Sequence, residues 1–252
     1  MKRLSLSLKI YVGLVLALAI SNAIQIFLPF YQDLMPSEAL PASKPVLALA
    51  NAGIAVVLYG GLGFIGLKLA ERLGFAAIYD PDVTNRQRFL TPGMVGAGLG
   101  IFLIVADLIF SRFNGIGALL HPPFPSSIFA SLSAGIGEEI MFRLFFIPLW
   151  VWLISFVILR RRWQKQVFWV VSVLSAFAFA AGHFPALMIL YDFKTVSEIP
   201  LVLTFEIILL NGVISIFAAY YMRKYGFLAA AGIHFGTDIV WHVIWGLLQL
   251  LG

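Results

Sequence analysis

Residues 126–159 read SSIFASLSAGIGEEIMFRLFFIPLWVWLISFVIL. The run is 34 residues long and carries only three charges, Glu138, Glu139 and Arg143. As one helix it would extend about 51 Å at 1.5 Å per residue, against a hydrocarbon core of about 30 Å. Pro148 is therefore expected to kink it or to end its first part. Charge at hydrocarbon depth is costly, so groups kept there pair with one another and serve a pathway or a reaction. The stretch thus makes two statements at once: the chain crosses a membrane, and it holds a polar site inside it.

Working outward, six more apolar segments come into view at about 8–30, 46–70, 93–110, 167–190, 200–221 and 226–250. Of the 252 residues 61% are hydrophobic and only 12% charged, where a soluble domain carries roughly 25% charged. The fold class is all-α, a polytopic transmembrane helix bundle of about seven spans, with six or eight spans or an additional re-entrant piece as alternatives. A β-barrel would show short alternating segments, and none is visible. Basic residues support seven spans. Thirteen fall on the side of the N-terminus and three, Lys44, Arg112 and Lys194, on the other. The positive-inside rule then sets the N-terminus in the cytoplasm. The positive balance, +5, is accounted for by these helix ends, so a nucleic-acid partner is rejected. Lys2 and Arg3 followed by an apolar run to Ser21-Asn22-Ala23 resemble a cleavable leader, but the run continues to Phe30, and a first transmembrane helix is the reading adopted. The absence of cysteine excludes disulfides, a thiolate ligand, a cysteine nucleophile and S-palmitoylation.

Three polar elements lie inside these spans. Glu139 and Arg143, spaced i, i+4, share a helix face and can pair. Glu138 points about 100° away on a helix of 3.6 residues per turn and is free for chemistry as a general base. His183 closes Phe179-Ala180-Ala181-Gly182-His183, a small-residue segment in which a histidine commonly bonds to a neighbouring helix. His234 and Asp238 share a face, with His242 continuing the stripe. That spacing suits an Asp orienting a His, a metal-ligand pair or an oxyanion-binding group, or else a hydrogen-bonded pair joining two helices. His242 is assigned mainly to packing, and His121, in a Pro-rich loop, to a solvated position. Asp107, Glu206 and Asn211 lie within spans and are candidates for lining a cavity. Trp163 and Trp169 suit an interfacial belt. Measured from the inner ends of their spans, His234 lies about 12 Å deep and His183 about 24 Å, so their meeting needs tilt.

Glu-Glu-x-x-x-Arg at 138–143, Phe-x-x-x-His at 179–183 and His-x-x-x-Asp at 234–238 together resemble the three motifs of the CPBP group. These are the CAAX prenyl protease type II and bacteriocin-processing (Abi) membrane proteins. The resemblance covers residues 126–242; residues 1–125 add transmembrane helices without a motif, and 126–252 form the catalytic core of the same membrane domain. It implies an intramembrane glutamic endopeptidase in which Glu138 and His183 activate water, His234 and Asp238 stabilise the oxyanion, and Glu139 and Arg143 hold the geometry. Asp at 238, where the family often has Asn, needs comment. An ionised carboxylate repels an oxyanion, so Asp238 must be protonated, hold His234 as a charged donor, or bind metal. No cofactor is implied; the alternative is zinc, with ligands drawn from Glu138, His183, His234 and Asp238. The expected partners are a peptide or membrane-protein substrate and membrane lipid, and the expected location is a prokaryotic cytoplasmic membrane. Two other functions compete: a non-catalytic immunity or scaffold protein, and an ion or proton transporter.

Overall fold

A computed structural model describes residues 2–29 and 41–251, and every span in them is helical. Among the described residues seven helices are long and apolar enough to cross a membrane: α1 (Leu6–Gln25), α2 (Lys44–Arg72), α3 (Arg86–Phe110), α4 (Ser126–Ile158), α5 (Gln164–Leu190), α6 (Leu201–Tyr225) and α7 (Phe227–Gln249). The chain is an integral membrane protein with the all-α bundle read from its sequence. The expected end of the first span, at Phe30, lies outside the described residues.

The long fourth segment departs from expectation. Pro148 does not end it; α4 runs on through Ile158. The turn before the proline is wound wide, with the Ile147 N–H donating to Phe142 O, five residues back. Wider winding loosens the clash a proline ring makes with the carbonyl four residues earlier. That carbonyl, on Leu144, faces Gly66 of α2, where a Cβ would strike it. Further wide turns occupy Ala134–Glu138 and Trp152–Ile158.

The most extensive helix pairing joins α3 to the first half of α7. Gly96 and Gly100, four apart on α3, leave room for the backbone of Ile233 and Thr237, and the Thr237 hydroxyl donates to Gly96 O at 3.1 Å. Small residues at this spacing let two backbones touch, and the many short-range contacts compensate for the missing hydrophobic drive between helices in lipid. The helix of the third motif is thereby fixed by the part of the chain that carries no motif. Beneath the site the core is continuous, from Leu18 of α1 through Ile140 and Leu144 of α4 to Phe168 of α5 and Ile233 of α7. Mid-helix apolar side chains such as Val57 and Met94 point outward instead, as lipid-facing positions do.

α5 is interrupted. Its regular winding stops at Ala181, and Gly182 donates back to Ala178 O and Phe179 O before Phe184–Leu190 resumes. Pro185 explains the break: it lacks an N–H to donate to Ala181 O four residues earlier, and its ring clashes with that carbonyl in a continuous helix. The break presents His183 at a turn rather than along a helix wall.

Candidate active site

Two consecutive glutamates divide the site into layers. Glu139 is wholly buried. Its Oε2 lies 3.3 Å from Arg143 Nε and its Oε1 accepts from His234 Nδ1 at 2.8 Å. The first contact matches the i, i+4 pairing; the second ties the first motif to the third and was not legible in the spacing. Arg143 is equally buried, and its guanidinium lies 4.4 Å over the Phe179 ring. A desolvated cation on an aromatic face is stabilised by about 2 kcal/mol or more, which offsets part of the cost of keeping the charge inside.

Phe179 is the residue that sequence reasoning quoted but gave no role. Its buried ring makes edge contacts with the rings of His183 at 5.0 Å, His234 at 5.6 Å and Phe142 at 5.3 Å. One side chain thus links all three motifs and removes the depth mismatch between His183 and His234. The signal was the spacing itself, since an i, i+4 Phe–His pair shares a face.

Glu138 points the other way. Its side chain is 36% exposed, to a cavity of about 240 Å³. His183, His234, Asp238, His242 and Asn211 line the same cavity, together with Leu187, Leu210 and Trp241. Four of the six expected site residues therefore share it, while Glu139 and Arg143 lie behind it. The His183 Nδ1–H donates to Phe179 O at 2.9 Å, which leaves Nε2 as the bare, basic nitrogen. His234 Nε2 sits 3.7 Å from Glu138 Oε2 and 3.7 Å from Asp238 Oδ2. Asp238 thus stands beside His234, as its spacing suggested, but the hydrogen-bonding group on His234 is Glu139. Among the described residues no three His, Asp or Glu side chains are grouped to hold a metal ion.

Several assignments need correcting. His121 is not solvated: it is half-buried, its Nδ1 lies 3.1 Å from His242 Nδ1, and its ring packs edge-on against Trp241 at 4.6 Å. Burial in that apolar loop pushes its imidazole down to about 4. His242 accordingly holds a loop as well as lining the cavity. Of the three polar candidates within spans, only Asn211 lines it. Asp107 and Glu206 anchor the 111–120 loop: Asp107 Oδ1 accepts from Leu119 N at 3.1 Å, and Glu206 Oε2 accepts from Asn114 Nδ2 at 2.8 Å.

Comparison with known families was decisive for residues 120–240. They match the family model described as type II CAAX prenyl endopeptidase, Rce1-like. This segment is similar to that family. The match includes all six expected site residues and agrees with the resemblance read from the motifs. The description of that family names an endopeptidase. Neither a curated protein nor a solved structure matches the chain.

Proposed function

We propose that the chain is a metal-free intramembrane glutamic endopeptidase. The observation that carries the reading is the shared cavity: a carboxylate without a hydrogen-bond partner, Glu138, and an imidazole with a bare nitrogen, His183, open onto the same space. A water held there loses a proton to this pair as its oxygen attacks the scissile carbonyl carbon. The carbonyl π electrons move onto oxygen, giving a tetrahedral oxyanion. His234, a donor through Nδ1 to Glu139, has Nε2 between Glu138 and Asp238; a ring protonated on both nitrogens satisfies that arrangement and donates to the oxyanion. Asp238 then acts by keeping His234 charged, which accommodates Asp where the family often has Asn. Collapse of the intermediate breaks the C–N bond, and the proton taken from water passes to the leaving amine.

The test is cleavage of a panel of quenched fluorogenic peptides by purified protein in detergent. Wild type, Glu138→Gln and His183→Ala are compared, each with and without chelator. Loss of turnover in both variants, with chelator inert, is the expected result. Full activity in either variant overturns the reading, and chelator-sensitive activity restored by zinc replaces it with a metalloprotease.

A further inference from the structure

The cavity belongs to one face of the bundle. Its wall includes Leu120 and Pro122 from the loop between α3 and α4, Ala130 near the start of α4, and Leu190 and Tyr191 at the end of α5. All lie on the side that seven crossings place opposite the N-terminus. The connectors on the N-terminal side, residues 73–85, 159–163 and 226, contribute nothing to the wall. The charge record is as lopsided in the other direction. Thirteen Lys and Arg lie on the N-terminal side, including Arg160, Arg161 and Arg162 in a single short connector and Lys165 in the first turn of α5, against three on the cavity side. Short basic connectors stay in the cytoplasm during insertion, and thirteen against three is a strong bias.

The wall also describes what enters. Apart from the catalytic groups, the Tyr191 hydroxyl that accepts from Leu120 N, and the Trp241 indole, it is apolar, with Asn211 and His242 as its further polar side chains. A multiply acidic segment would lose its hydration there and meet Glu138 and Asp238 with no Lys or Arg in the wall to pair with. An apolar, unfolded stretch of peptide would lose little and could satisfy part of its backbone at Asn211 and His242.

We infer that the site opens to the non-cytoplasmic face and receives an apolar peptide segment from that side. The substrate half of this inference rests on the protease reading; the direction of opening does not. A segment held on the cytoplasmic surface, such as the lipidated C-terminus of a cytosolic protein, would face the closed end. Two sources share the required chemistry: a free exported peptide, and the non-cytoplasmic margin of another membrane protein.

The cysteine-free chain makes the test direct. Single cysteines are placed at Ala118, exposed on the loop beside the cavity; at Ala186, on the cavity wall; and at Lys165, exposed in the first turn of α5 beside the basic connector. Each is treated with a membrane-impermeant thiol reagent in intact cells and in inverted vesicles. Labelling of Ala118→Cys and Ala186→Cys from outside, and of Lys165→Cys only in inverted vesicles, is expected. Outside labelling of Lys165→Cys, or labelling of Ala186→Cys only in inverted vesicles, overturns the direction. Occupancy is read in Ala186→Cys combined with Glu138→Gln, where nothing is turned over. Short Leu/Ala/Ser peptides added outside, free or tethered to a phospholipid, are expected to slow labelling several-fold, while Glu-rich peptides do not. Protection by the free or only by the tethered form distinguishes the two sources, and protection by neither overturns the substrate class. Failure of the protease reading shows separately, as turnover that survives Glu138→Gln.

Discussion

Glu138 and Glu139 are neighbours in sequence and opposites in environment. Glu139 has no exposure and is engaged by Arg143 and His234; Glu138 is open to a cavity, with its nearest partner 3.7 Å away. The layer behind the cavity is a buried lattice of Glu139, Arg143, Phe179 and the far edge of His234, joined by the Glu139–His234 hydrogen bond, the Glu139–Arg143 ion pair and the Arg143 contact with the Phe179 ring. The layer in front consists of groups whose reactive atoms are left unengaged. A lattice of this kind fixes orientation, whereas unengaged groups supply chemistry, and the two layers should respond differently to substitution.

The largest separation between activity and stability is expected at Glu138. Glu138→Gln keeps the shape and removes the base, so peptide turnover should fall by about 10²–10⁴-fold. The unfolding midpoint in detergent should barely move, because no hydrogen bond to the Glu138 carboxylate is lost. A large drop in stability would place Glu138 in the lattice and erase the distinction.

Glu139 should behave in the opposite manner. Glu139→Leu leaves Arg143 buried without its partner, and breaking a buried pair costs about 3–5 kcal/mol. Adding Arg143→Met removes the stranded charge and should recover most of that stability. Activity should stay low in the double variant, because His234 has lost the acceptor that orients it. Recovery of both properties together would show that the ion pair serves folding alone.

Phe179 tests whether the lattice is more than an ion pair. Phe179→Leu keeps an apolar side chain but removes the ring beneath Arg143 and beside both histidines. The expected loss is about 1–2 kcal/mol of stability. Turnover should fall by about tenfold in kcat, with KM nearly unchanged, since the ring touches the catalytic side chains and does not line the cavity.

How much of this was legible in the sequence follows from the same contrast. The spans were legible because hydrocarbon demands long apolar helices, and the Glu139–Arg143 contact because i, i+4 neighbours meet on any helix. Convergence between helices was not. Spacing cannot report that Glu139 reaches across 95 residues to His234, or that the backbone bond of His183 selects its free nitrogen. The packing bed of α7 could have been found: Gly96-x-x-x-Gly100 is the small-residue pattern at which helices approach closely. Of the two effects expected of Pro148, the ending of the helix is excluded for a definite reason. Its usual effect assumes α winding, and the wide turn ahead of it removes that assumption. His121 was misjudged because a Pro-rich loop suggests solvent, whereas this loop folds down onto Trp241.

His121 offers the smallest effect and a comparison outside both layers, since its histidine neighbour, His242, is not tied down by a carboxylate as His234 is. Burial holds the His121 imidazole down to about 4, against an ordinary value of 6.5. Between those values the unfolded chain takes up a proton that the folded chain refuses. Stability contributed at this position is therefore complete above about 6.5 and is lost progressively as the pH falls towards 4. His121→Phe keeps an aromatic ring against Trp241 and has no proton to gain. It should lose a little stability at pH 7, where the contact with His242 disappears, yet show a shallower fall in unfolding midpoint between pH 7 and pH 5. Parallel slopes for the two proteins would mean that His121 is already solvated enough to titrate normally, and that the loop is held by Asp107 and Glu206 instead.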